Sequence, residues 1–138
     1  MENQIKKIKI VMLCDQFLIA EGICKILESE DSFCLLDNYQ ESNDLINSCL
    51  TMPDAVIINA PLSLENTFKA VDNIKNNFQK ARIILLVPDL NEDLRQEAAS
   101  YVVDALIEKN IDGSQLIELI KEVCTSSTWV PQVFSERR

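Results

Sequence analysis

Few residues in this sequence have chemistry to offer, and the useful ones fall at the ends of apolar runs. There is no histidine, which removes the commonest general base and metal ligand. Two glycines, Gly22 and Gly113, leave little room for a loop that cradles phosphate. What remains is Cys14-Asp15 after the first run, Asn59 at the end of the third, Val87 closing the fourth and Lys109 just past the fifth. A thiol beside a carboxylate can take up a soft metal or an oxidant, a neutral amide can only exchange hydrogen bonds, and a lysine can balance an anion. Each also has a plainer reading. Lys109 alone would be a solvated surface lysine, Asn59 before Ala60-Pro61 a turn residue, and Cys14 a small buried hydrophobe with no second thiol or histidine nearby. The chemistry stands or falls on whether the fold assembles the set.

The elements that must position it alternate in type. Short aliphatic runs occur at Ile8–Leu13, Phe33–Asn38, Ala55–Asn59, Arg82–Val87 and Asp104–Glu108. Three of them, IKIVML, AVIIN and RIILLV, are continuously apolar, as strands covered on both faces should be. Between them lie helical stripes: Ile19, Ile23, Ile26 and Leu27; then Phe68, Val71, Ile74 and Phe78; then Leu116, Leu119, Ile120 and Val123. Ser63, Asn91 and Asp112 are suitable helix caps, and Pro53, Pro61 and Pro88 punctuate the strand ends. This order predicts an α/β fold: a doubly wound, five-stranded parallel sheet of flavodoxin-like type, (βα)5, with strand order 2-1-3-4-5. Ligands of such sheets bind at the carboxyl ends of the strands, where the set above is found.

From Ile8 to Pro131 the chain resembles receiver (CheY-like) domains of bacterial response regulators, most closely the subfamily with a LuxR-type helix-turn-helix. The likeness is carried by IKIVMLCDQFLIAEGICKILESEDSF, PDAVIINAPL, ARIILLVP, ALIEKN and SSTWVPQV, in that order. The resemblance implies a site in which two adjacent acids and a phosphoacceptor aspartate hold Mg²⁺. A lysine then balances the phosphoryl group, a Thr or Ser hydroxyl binds it, and an aromatic residue on the fifth strand follows. This chain keeps only part of that pattern. The acidic pair is Cys14-Asp15, the phosphoacceptor position is Asn59, the hydroxyl position is Val87 and the aromatic position is Leu106, while Lys109 is retained. The loop after Asn59 reads Ala60-Pro61-Leu62-Ser63-Leu64 in place of the usual Met-Pro-Gly. The implied molecule is a degenerate receiver, or pseudo-receiver, with no catalytic residue, no metal and no cofactor. Its pocket is expected to set one carboxylate, Asp15, against one ammonium, Lys109, with Asn59 between them.

Bulk properties set the remaining expectations. The 138 residues suit one receiver-like domain over 1-125, followed by a C-terminal extension or the start of a linker over 126-138. A formal charge of −9 argues against nucleic acid or an anionic membrane as partner of this segment, so DNA binding would belong to a helix-turn-helix beyond Arg138 in a longer chain. Five dispersed cysteines, no secretory signal and no run of transmembrane length predict free thiols and a cytoplasmic protein. A homodimer or protein partner is expected, with Tyr101, Val102 and Val103 as candidate surface and Trp129 packed on the last helix. The competing expectation is a small flavodoxin-like enzyme or cofactor binder, for which Cys14-Asp15-Gln16-Phe17 is a poor phosphate loop.

Overall fold

The continuously apolar runs become the central strands. The computed structural model describes residues 7–59, 64–101, 103–125 and 132–134, so the Ser63 cap, Val102 and Trp129 lie outside it. Five strand-helix pairs follow in order: β1 (Ile8–Leu13), α1 (Phe17–Glu28), β2 (Phe33–Tyr39), α2 (Ser42–Ser48), β3 (Ala55–Asn59), α3 (Leu64–Asn77), β4 (Arg82–Val87), α4 (Glu92–Ser100), β5 (Ala105–Glu108) and α5 (Gly113–Thr125). The strands are all parallel, in the order β2-β1-β3-β4-β5. One more strand, β6 (Gln132–Phe134), joins β5 in parallel with Leu106 opposite Val133. It lies in the stretch expected to be an extension or linker, and three residues are too few to show a strand period. By pairing with β5 it covers an edge that would otherwise be open.

The two faces of the sheet sort the apolar residues by parity. Val11, Leu13, Val56, Ile58, Ile83 and Leu85 face α3 and α4 and pack on Phe68, Val71, Ile74 and Leu94. Ile10, Met12, Ile57, Ile84, Leu86 and Ile107 face α1 and α5 and pack on Ile23, Leu27, Leu116 and Ile120. Side chains alternate along a strand, so once one residue of a strand is placed the faces of the others follow. The helical stripes land as the spacing requires, with Ile19, Ile26 and Leu119 at their half-buried margins. Two caps work as predicted. Asn91 accepts from the Leu94 N–H at 2.8 Å, while Asp112 accepts from the Gln115 N–H and Gln115 accepts from the Asp112 N–H, a reciprocal box that starts α5.

Away from the strand ends that bear the site, carboxylates tie the sheet down. Asp54 Oδ2 accepts from the Lys9 N–H at 2.8 Å. Asp104, almost fully buried, accepts from the Ile83 N–H at 2.8 Å and pairs with Arg82 at 3.6 Å and Lys75 at 3.8 Å. These clamps align the first residues of β1, β3, β4 and β5. Alignment there fixes which residues come together at the other ends.

The tail of the run Tyr101-Val102-Val103 is less exposed than a surface patch requires. Tyr101 stacks on Phe68 with ring centroids 4.9 Å apart, and Val103 is buried. Stacking at this distance draws the aromatic ring into the core beside α3.

Candidate functional site

The carboxyl ends of β1, β3, β4 and β5 lie in register. Leu13 pairs with Ile58, Asn59 with Leu86, Leu86 with Ile107 and Val87 with Glu108. The chain then continues with the Cys14 N–H donating to the Tyr39 carbonyl and the Lys109 N–H donating to the Val87 carbonyl, each at 2.9 Å. Register therefore gathers Cys14, Asn59 and Lys109 at one end of the sheet.

Asn59 is the buried centre of this end, only 2% exposed. Its Nδ2 donates to Gln16 Oε1 at 3.2 Å, but its Oδ1 has no partner among the described residues. Cys14 is equally buried, and its thiol donates to the Gln16 carbonyl at 3.4 Å. Asn38 Nδ2 donates to the Cys14 carbonyl at 3.2 Å. Gln16 thus touches both Cys14 and Asn59 from the residue just before α1. The sequence marks Gln16 only as part of a poor phosphate loop and Asn38 only as a strand end, although their positions at the carboxyl ends of β1 and β2 are the available signal.

Parity divides the remaining candidates. Asn59 and Lys109 open on the α1–α5 side, where Ile19, Ile23, Ile26, Leu86, Ile111, Asp112 and Leu116 complete a cavity of about 280 Å³. Val87 and Leu106, each 1% exposed, pack into the opposite core beside Leu85 and Leu94. Asp15 is exposed and lines a different, polar cleft with Leu13, Glu41, Asn66 and Lys69. The expected Asp15–Lys109 opposition is therefore not formed. Lys109 instead has its ammonium held below the ordinary lysine range by burial, partly offset by the nearby Cys14 sulfur. A cation that is desolvated without a partner is an unfinished arrangement.

These residues do not fit a Mg²⁺ ion. A hard cation wants several oxygen ligands, preferably anionic. Here position 14 offers a thiol already bonded to a carbonyl, Asn59 is neutral, and Asp15 lines another cleft. No group of three Cys, Asp or Glu side chains suited to a metal occurs among the described residues.

All five cysteines are free, with Cys14 buried and the others half-buried. Burial, with Asp54 adding to it, pushes the Cys124 thiol up to about 12. Because the folded value lies above the unfolded one, Cys124 contributes stability that is complete below about pH 8.5 and is lost as pH rises toward 12. The stability difference between wild type and Cys124→Ala is expected to shrink by roughly 1 kcal/mol per pH unit above pH 9. Urea unfolding of both proteins at pH 8, 9 and 10 checks this, and parallel pH dependences would rule it out.

No protein-family model and no curated protein matches the chain. Solved structures do. The isolated receiver domain of RcsB from Salmonella enterica serovar Typhimurium, determined with the phosphomimetic BeF3−, is similar at TM-score 0.77 and 15% identity, covering 96% of this chain and 95% of that one. A LuxR-family two-component response regulator from Aurantimonas sp. SI85-9A1 is similar at TM-score 0.77 and 17% identity, covering 86% of each chain. A CheY-like receiver domain protein from Methanospirillum hungatei JF-1 gives TM-score 0.72 and 15% identity over 85% of this chain and 93% of that one. No helix among the described residues is long and apolar enough to cross a membrane. With the sheet order, the five strand-helix pairs and these neighbours in agreement, the chain has the fold of a response-regulator receiver domain.

Proposed function

We propose that this chain is a regulatory signalling module that works without aspartyl phosphorylation, its output carried by dimerisation or by a protein partner. The observation that carries the reading is Asn59. It occupies the end of β3, where the receiver pattern has its phosphoacceptor, and it is buried with a neutral amide that is no nucleophile. The surroundings agree. A phosphoryl group at this point would find Val87 and Leu106 buried in the opposite core with no hydroxyl to offer, and Asp15 lining another cleft. Phosphoryl transfer depends on positioned charge, above all a metal ion bridging the phosphoryl oxygens. Of that apparatus the sequence offers only Lys109, which lines the cavity beside Asn59. Several solved neighbours are signalling proteins, RcsB among them in a complex with promoter rprA, which supports a regulatory role over an enzymatic one. In a longer chain, DNA would be held by a separate domain, since the −9 charge of this segment repels phosphates.

Intact mass after incubation with acetyl phosphate and Mg²⁺ tests the reading, with an aspartate-bearing receiver as positive control. The expected result is an unchanged mass and an unchanged melting temperature in millimolar Mg²⁺, because a ligand that does not bind the native state cannot stabilise it. A stoichiometric, hydroxylamine-labile adduct overturns it. Sedimentation at high micromolar concentration then separates the two forms of output, a dimer pointing to self-association and a monomer to a different protein partner.

A further inference from the structure

The cavity beside Asn59 is a shaped one. Its walls are Ile19, Ile23 and Ile26 from α1, Leu86 from β4, and Ile111 with Leu116 at the start of α5. A volume of about 280 Å³ is room for roughly nine waters, or for an organic molecule of some ten to fifteen heavy atoms. Water gains little among six aliphatic side chains, so such a space favours an apolar occupant. Three polar groups interrupt the lining, and each asks for something different. Asn59 Oδ1 has no donor among the described residues, a state that costs about 1–3 kcal/mol, and it has almost no open surface, so a group in the cavity reaches it only when the amide turns. Lys109 forms no ion pair among the described residues, and burial disfavours its charge, a cost that an anion would relieve. Asp112 is exposed at the mouth, with one carboxylate oxygen committed to the Gln115 N–H.

We propose that this cavity binds a small apolar α-amino acid, its carboxylate on Lys109, its ammonium donating to Asn59 Oδ1 after the amide turns toward the cavity, near the Asp112 charge, and its side chain among the isoleucines. The head group of an α-amino acid is the smallest that presents an anionic acceptor and a cationic donor side by side, which is the complement of Lys109, Asn59 and Asp112. A plain fatty acid leaves Asn59 unsatisfied, and a phosphate ester leaves the aliphatic walls uncovered. The inference rests on the reading that Asn59 takes no phosphoryl group. Occupancy of the cavity would then supply the input that phosphorylation supplies elsewhere, because the ligand bridges α1, β3 and α5 at the carboxyl edge of the sheet.

Calorimetric titration of the full chain with L-leucine and L-phenylalanine tests this directly. One of the two is expected to bind at a single site and to raise the melting temperature. L-leucinamide, which lacks the carboxylate, and 4-methylpentanoate, which lacks the amino group, are each expected to bind at least about tenfold more weakly, the loss that follows when a buried charge or acceptor goes unmatched. Lys109→Met and Asn59→Leu are expected to lose L-leucine or L-phenylalanine binding by a similar factor while keeping the wild-type circular dichroism spectrum. Equal binding of 4-methylpentanoate and L-leucine, or no binding of either amino acid at millimolar concentration, overturns the proposal. If the acetyl phosphate experiment at the same time leaves the mass unchanged, only the ligand is wrong. A phosphoryl adduct removes the reading beneath it as well.

Discussion

Asn59→Asp and Asn59→Leu are expected to move stability in opposite directions. Aspartate at this position would place a carboxylate where only 2% of the side chain meets solvent. It would also lose the Nδ2 donor that now reaches Gln16 Oε1 at 3.2 Å. Desolvation of an ionised group costs several kcal/mol in principle. Lys109, half-exposed in the same cavity, recovers part of it, leaving an expected loss of about 2–3 kcal/mol at neutral pH. Burial would raise the folded pKa of this aspartate above the unfolded value of about 3.9. The folded state then holds its proton longer, so the penalty is absent below about pH 4, grows as pH rises from there and levels off above the folded value. Asn59→Leu is nearly isosteric and removes the unpaired Oδ1. It gives up one hydrogen bond worth about 1 kcal/mol and sheds a cost of about 1–3 kcal/mol, for a net gain near 1 kcal/mol. Urea unfolding at pH 4.5 and 7.5 decides both signs. An aspartate variant as stable as wild type at pH 7.5 would mean that the pocket solvates charge easily. The same variant should remain unlabelled by acetyl phosphate, since the residue at position 14 is a thiol and Asp15 lies elsewhere. A carboxylate at position 59 alone supplies neither a metal site nor a hydroxyl.

A gain in stability from Asn59→Leu would show that the native residue is held against stability. Polar groups kept unpaired in a core are commonly kept for what they meet there. That is the physical link between the orphan Oδ1 and the apolar cavity beside it.

Much of this was legible in the residue order. The runs IKIVML, AVIIN and RIILLV match β1, β3 and β4 at both ends, since a strand buried on both faces must be apolar throughout and stops where polarity begins. Asn59 and Lys109 were found at strand ends and do share a cavity. The misplaced site residues share one cause. Continuous apolar strands hide their parity, so nothing in RIILLV says which residues face α1 and α5. Once a face is known for Ile57, that of Asn59 follows, and Val87 falls with Leu85 on the other side. The resemblance sets Asp15 against Lys109, but Asp15, one residue beyond Cys14, lines the cleft beside Leu13 instead. The run Tyr101-Val102-Val103 reads as offering some surface because three apolar residues in a row cannot share one core, and it gives no sign of the stacking partner that Tyr101 finds thirty-odd positions away in Phe68. The strand β6 gave no signal at three residues in length.

The amino-terminal ends of the strands carry the second large effect. Asp104→Ala is expected to cost about 3–5 kcal/mol, a large share of the 5–15 kcal/mol typical of a whole domain. The carboxylate is almost fully buried and performs two tasks there. Its Oδ2 satisfies the Ile83 N–H at 2.8 Å, and the group as a whole attracts Lys75 at 3.8 Å and Arg82 at 3.6 Å. Alanine abandons both, leaving a buried backbone donor unpaired next to two cations. Asp104→Asn separates the tasks, because an amide oxygen can still accept from the Ile83 N–H while carrying no charge. It is expected to cost only about 1–2 kcal/mol. Salt distinguishes the two contributions further. Lys75 and Arg82 are each about a quarter exposed, so roughly 1 M salt should screen their attraction and bring Asp104→Asn close to wild type. The Ala variant should stay destabilised, since the hydrogen bond it lacks lies inside the fold. Urea titrations of the three proteins at low and high salt measure this. Equal losses for Asn and Ala at low salt, vanishing together at high salt, would assign the whole effect to charge and leave the Ile83 contact with no part in holding β4 against β5.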